Sequence, residues 1–413
     1  MSRLTNAGDD VSGVLVTAAR EARASLGPGE LPELERAAEV ATTALRGFGV
    51  DVRSEQLQPA LAIEPFTNSS AAVILQDGRV PAHAIGMGSR RLAAMALQSA
   101  ALRAGAILLV DELEHGLEPH RLRNVVSRLS RSAGQSEGFG QVVTTTHSPT
   151  VLVELPVDRI RVVRADAGTV TVLSPGAELQ GHVRTHPEAL LSRRVLVTEG
   201  KTEVGVLRAL DRHWERSHGA PLAHQGVAVV NGDGNTVCLG VALALLRLGY
   251  RVCVLADDDE PLPAADQAAF LSRGGTLILW GDGLAIEDRV AADAPIAVLQ
   301  KMLDYGCAER GEARVLGELK GRLTSYASVI VGPQIEEWLA RGVPEAALRT
   351  ALGNAAKVSF RGWFKRTDHG EWLGNVIAAS LAEIPDSPLA QRIANAESWC
   401  FPARAPAPGS ARP

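Results

Sequence analysis

Two stretches of this chain concentrate carboxylates where apolar runs stop. RVLVT (194–198) passes directly into Glu199, Gly200, Lys201 and, one residue later, Glu203, whereas VCVLA (252–256) ends in Asp257, Asp258 and Asp259. Asp257 and Asp259 are alternate residues of one extended segment, so their side chains aim the same way. Two unit charges about 4 Å apart repel by about 4 kcal/mol at an effective dielectric near 20, so acids gathered in one cleft call for a compensating cation. Hard oxygen donors suit Mg2+ or Mn2+. A solvated acidic loop is the other use of such a run; the pairing of DDDE with EGKTE favours a metal site.

A second set lies upstream. AILLVDE (106–112) places Asp111 and Glu112 at the end of an apolar strand. GMGSRRL (86–92) sets Gly86 and Gly88 just before a helix, where free backbone N–H groups can hold a phosphate. VVTTTHSP (142–149) brings His147 to the end of another apolar strand.

The elements that must position these residues follow from periodicity and turn signals. Helical patterning runs from Val11 to Phe48 with a break at LGPGELPE, strand-like patterning covers 56–80, and an Ala-rich helix leads into AILLVDE. A helix at 119–131, the strand QVVTTTH and a β-rich stretch 159–173 follow, and 174–193 has loop composition. RVLVTEG, GVAVVNG, YRVCVLADDDE and GTLILWGDG then alternate with helical segments, which predicts a parallel α/β sheet presenting its acids along one C-terminal edge. From Ile286 to Ala396 the pattern is helical, and a Pro/Ala-rich tail closes the chain.

Glu, then Gly, then D-x-D over this interval resembles the TOPRIM domain of topoisomerases, bacterial primases, RecR proteins and the overcoming-lysogenisation-defect (OLD) nucleases. The Asp111, Glu112 and His147 set with Gly86 and Gly88 resembles the C-terminal half of ABC-type ATPases of the SMC, Rad50 and RecF kind. The combination resembles the OLD family in particular. It implies an α/β fold with a partial ABC-type ATPase domain at 1–185, a TOPRIM domain with a Rossmann-like parallel sheet at 190–290, a helical extension at 291–400 and a disordered tail at 401–413.

The resemblance also implies roles. Asp111 would orient Mg2+, Glu112 would position water, HGLEP would form the D-loop, His147 would sense the γ-phosphate, and Gly86 and Gly88 would face the nucleotide of a second subunit, making a homodimer. Glu199, Glu203, Asp257 and Asp259 would hold cations, with Glu287 completing a second ion's shell in GDGLAIED. Ala285 stands where the family often has a small polar residue. A lysine of the helical extension would neutralise developing charge; Lys365 is the first candidate and Lys357 the second. The implied reaction is two-metal hydrolysis of DNA phosphodiester bonds, with phage defence or DNA repair as the setting. The alternative is a non-catalytic DNA-binding regulatory subunit, or an ATPase half that needs a separate partner carrying the phosphate-binding loop.

Other features narrow the field. No G-x-x-x-x-G-K-[ST] phosphate loop occurs, so the chain is truncated or mis-started, or another polypeptide supplies that lobe, or ATP binding has been lost. Autonomous ATP hydrolysis is therefore not expected. Tyr250, Tyr305 and Tyr326 lie outside any Arg-flanked nucleophile motif, and Cys238, Cys253, Cys307 and Cys400 form no CxxC pair, which demotes a topoisomerase and a zinc-bearing primase. A net charge of -5 leaves room for a local basic groove, with SRRVLV, FRGWFKR and RLTS as candidate phosphate contacts. Trp363 and Phe364 are expected in the core. With no signal peptide and no membrane-length apolar run, the expected compartment is the cytoplasm.

Overall fold

The computed structural model of the protein describes residues 32–50, 52–61, 73–77, 80–81, 86–101, 105–133, 140–166, 168–358 and 362–402, with the single positions 17, 21 and 84. Most of the helix expected from Val11, and the tail from 403 onward, lie outside the described residues. The chain forms two compact units, Met1–Leu155 and Pro156–Pro413.

In the first unit, helix Pro32–Gly47 buries Ala38, Ala41 and Leu45, one stripe at helical spacing. β1 (Gln58–Leu61), β2 (Val73–Asp77) and β3 (Val80–Pro81) make an antiparallel sheet in that order. After helix Met87–Ala101, β4 (Ile107–Val110) pairs in parallel with β5 (Gln141–Thr144), Ile107 opposite Gln141, across helix Pro119–Ser132. That helix buries Leu122, Val125, Val126 and Leu129 against the inner face of the pair. On the outer face Ile107 is 62%, Leu109 73% and Val143 49% exposed. Parallel strands are normally covered on both faces, whereas among the described residues this side of the pair is open.

The second unit begins with a hairpin of β6 (Val162–Asp166) and β7 (Thr169–Leu173). Residues 156–185 were expected to close the ATPase-type half. They pack instead with the second unit: the Arg164 guanidinium stacks 4.0 Å over the Tyr250 ring and donates to the Leu248 carbonyl. The segment 174–193, loop-like in composition, forms short helices at Gln180–Thr185 and Glu188–Leu191.

The unit's centre is a four-stranded, wholly parallel sheet of β8 (Arg194–Thr198), β9 (Val227–Asn231), β10 (Arg251–Ala256) and β11 (Thr276–Leu279) in the order β11-β10-β8-β9. Helices Lys201–His218, Asn235–Arg247 and Ala264–Ser272 connect the strands. β8 and β10 are buried along almost their whole length, as continuous Val/Leu runs covered on both faces should be. Seven further helices follow, from Ile286–Asp293 to Pro388–Cys400. They share one apolar core with the sheet, running from Leu196 through Trp214, Leu299, Trp338 and Leu352 to Cys400.

Candidate metal centre

Chain order explains where a site can form. The chain leaves central β8 for β9 on one side and returns to β10 on the other, so the connections diverge and open a crevice beyond the C-terminal ends of β8 and β10. Glu199 follows β8 and Asp257 follows β10. They meet directly: the Asp257 amide donates to Glu199 Oε2 at 3.0 Å. Glu203, 3% exposed in the first turn of helix Lys201–His218, accepts the Gly200 amide at 3.0 Å.

Asp257 also reaches forward. Its Oδ1 accepts the Ile286 amide at 2.9 Å, which supplies helix Ile286–Asp293 with the N-terminal cap that Ala285 has no side chain to provide. That bond draws Glu287, 1% exposed, into the same cluster. Lys365 Nζ stands 3.6 Å from Glu287 Oε1. Lys357 Nζ lies 3.2 Å from Asp259 Oδ2 and 2.6 Å from Asp288 Oδ2. Asp258 faces away from the cluster, with Oδ2 accepting the Gly283 amide at 2.9 Å. It pins the loop Gly281–Asp282–Gly283, whose three residues all have left-handed φ values. Buried Arg289 holds the same loop through the Gly281 carbonyl at 3.0 Å.

The electrostatics record the crowding. Burial, then the charges of Glu287 and Glu199, push the Glu203 carboxyl up to about 8. Burial, then Glu203, Glu287 and Glu199, hold Asp257 well above the usual carboxylate range. Glu199 is raised by burial and by Asp259 and Glu260, against the pull of the Asp257 amide and Lys365. Burial alone would lower the Lys357 ammonium, but its bonds to Asp288 and Asp259 outweigh that and raise it. The donors are all oxygens, they repel one another, and buried Glu287 Oε1 makes no hydrogen bond. That chemistry fits a hard divalent cation. Among the described residues no three of these side chains stand ready as a ligand set, since Glu199, Glu203 and Asp257 are each turned onto a backbone amide.

The lysines are placed by the core beneath them. Thr202 Oγ1 donates to the Phe364 carbonyl at 2.7 Å, and His369 Nδ1 bonds the Trp363 carbonyl at 2.9 Å. Helix Thr367–Ser380 crosses helix Lys201–His218 at glycines: a Cβ on Gly370 would stand 2.2 Å from the Thr202 carbonyl oxygen. Trp363 and Phe364 are fully buried, as expected. Of the candidate phosphate contacts, Arg194 donates to the Trp399 carbonyl, Arg322 to that of Asn354, and Arg366 pairs with Asp368; Arg361 lies outside the described residues. Sequence reasoning missed Asp288, Thr202, His369 and Arg289. Asp288 adjoins Glu287 in sequence, whereas the others act through contacts tens of residues away or through a loop carbonyl.

In the first unit, Gly88, Asp111, Glu112 and His147 gather at the C-terminal ends of β4 and β5. Thr145 Oγ1 donates to Asp111 Oδ1 and accepts the Glu112 amide, and Glu114 accepts the His147 amide. Arg91 grips the carbonyls of Asp111 and Glu112 at 2.6 Å each. Gly88 passes so close to the Gly116 carbonyl that a Cβ would stand 2.3 Å from its oxygen. Gly86 has open space around it.

Residues 24–154 match the family model described as "AAA domain, putative AbiEii toxin, Type IV TA system". Residues 190–259 match that described as "Overcoming lysogenization defect protein-like, TOPRIM domain". The chain carries an AAA-type domain followed by an OLD-like TOPRIM domain. The Old nuclease of Escherichia phage P2 is 25% identical over 198 residues, covering 42% of this chain. The chain spans 33% of that relative's length. Glu199, Glu203, Asp257 and Asp259 lie inside the OLD-like TOPRIM match; Glu287, Lys357 and Lys365 lie beyond it. Among the described residues no helix is long and apolar enough to cross a membrane.

Proposed function

We propose that the protein is a metal-dependent endonuclease or nickase of the OLD type that hydrolyses DNA phosphodiester bonds at the TOPRIM cleft. The observation carrying this reading is the convergence of Glu199, Glu203, Asp257 and Glu287 from three separate stretches of chain at the crevice between β8 and β10, where burial and mutual repulsion disfavour their charged forms unless a cation is bound. Glu199, Glu203, Asp257 and Asp259 would hold one ion or both, and Glu287 would complete the second ion's shell. A divalent cation supplies Lewis-acid charge stabilisation and acidifies water at neutral pH. Lys365, 41% exposed beside Glu287, keeps a mobile positive charge at the rim and offsets charge developing on the phosphate. Buried Thr202 and His369 hold the backbone that carries Lys365 in register. The AAA-type unit would control cleavage and bring two copies together.

The test is nicking of supercoiled plasmid by the purified full chain with Mg2+ or Mn2+. Cleavage that vanishes in Asp257→Ala supports the reading; an intact plasmid, or cleavage unchanged by that substitution, sinks it and favours a non-catalytic DNA-binding subunit. A second reading concerns the first unit: the open apolar face of Ile107, Leu109 and Val143 favours a nucleotide site completed by a separate phosphate-loop segment. ATP turnover that appears only when such a segment is added would support it, and turnover by the chain alone would refute it.

A further inference from the structure

The two candidate lysines do different things. Lys365 is partly exposed and faces one carboxylate at 3.6 Å. Lys357 is committed to two, Asp288 at 2.6 Å and Asp259 at 3.2 Å, and is 26% exposed. Asp259 arrives on the segment after β10, and Asp288 on helix Ile286–Asp293, next to Glu287. Asp288 is 9% exposed and sits where Gly353 leaves room: a Cβ there would stand 2.6 Å from Asp288 Oδ1. Lys357 itself caps the C-terminal end of helix Glu345–Ala356, where unpaired carbonyls favour a positive charge. The ammonium therefore occupies a built place, bracketed by carboxylates from two elements that also carry Asp257 and Glu287.

We propose that Lys357 is an internal counter-ion that stands in for a divalent cation between Asp259 and Asp288 and limits how tightly that cation binds. One positive charge bridging two carboxylates leaves one negative charge unbalanced, whereas a divalent ion would balance both. To enter, the ion must displace the ammonium, and the apparent affinity falls by the cost of breaking that bridge. Asp288 thereby becomes a further candidate ligand, and the division of labour leaves Lys365 to meet substrate phosphate. This inference rests on the reading of the cleft as a cation site.

The test is Mn2+ binding to the full-length protein without DNA, followed by calorimetry and by the paramagnetic resonance of free Mn2+. Lys357→Met and, as a second variant, Lys357→Gln should each tighten binding about five- to tenfold. Lys365→Met should tighten it less, and the gain from Lys357→Met should disappear in an Asp259→Asn background. Equal or weaker affinity in both Lys357 variants, or a gain that persists undiminished beside Asp259→Asn, overturns the proposal. If neither the wild type nor the Lys357 variants bind Mn2+, the cation-site reading falls as well, so the two failures are distinguishable.

Discussion

β4 and β10 are both short apolar strands that run into carboxylates, and they meet different surroundings. β10 lies inside a four-stranded sheet; Val252 to Ala256 are at most 2% exposed, and helices from the C-terminal extension close over its acidic end. Burial there, and then the charges of Glu203, Glu287 and Glu199, hold Asp257 well above the usual carboxylate range. Among the described residues β4 has one parallel partner and an open outer face, and Asp111 at its end is exposed and answered by a threonine hydroxyl. A strand ending in acids is thus only half a site. What perturbs the acid is the second and third layer of chain packed around it.

The largest effect expected from this contrast is on cleavage. Asp257→Asn should lower plasmid nicking by about a thousandfold or more, because it removes charge from the most crowded position. Next come the strands. Leu255→Ala, at a residue 1% exposed, should cost about 3 kcal/mol in chemical denaturation, whereas Leu109→Ala, at one 73% exposed, should cost under about 0.5 kcal/mol in the same experiment. A large loss at Leu109 would mean that the open face of β4 is covered in solution, which would break the comparison.

pH should separate the regions more gently. Folded, cation-free protein keeps protons on Glu203 and Asp257 above the pH at which the unfolded chain releases them. Its stability should therefore fall as pH rises from about 4.5, the ordinary value, to about 8, where folded Glu203 titrates. Glu203→Gln should flatten that slope, and Mn2+ should oppose it, since binding requires the charged forms. A slope unchanged by Glu203→Gln would show that the proton is held elsewhere. The smallest effect belongs to exposed pairs such as Arg314–Glu318. Breaking it should change stability by less than about 0.5 kcal/mol by thermal melting.

Much of the second unit was legible because its signals are local. A Val/Leu run predicts a doubly covered strand, and the acid after it marks the strand's C-terminal end, so Glu199 and Asp257 fell where the spacing placed them. The proximity of Lys365 to Glu287 followed from family resemblance rather than from any pattern in the chain. What stayed hidden acts over distance. Nothing near Ala285 shows that its helix is capped by a carboxylate 29 residues back in the chain. Nothing in the helical patterning of KTEVGV around Glu203 marks it as buried rather than solvated. Lys357 reads as an ordinary helix-terminal lysine until Asp259 and Asp288 are brought beside it. The segment 156–185 was misplaced because short β-rich sequence carries no label for the core it joins, and Arg164 finds Tyr250 only in three dimensions.

The glycine-lined crossing of helices Lys201–His218 and Thr367–Ser380 has a practical consequence. Because the sheet and the last helices share one interior, a fragment ending near residue 290 would expose Leu196-layer side chains with nothing to lie against them. The extension folds together with the TOPRIM sheet, so any attempt to graft or trim this domain must carry the chain through Cys400.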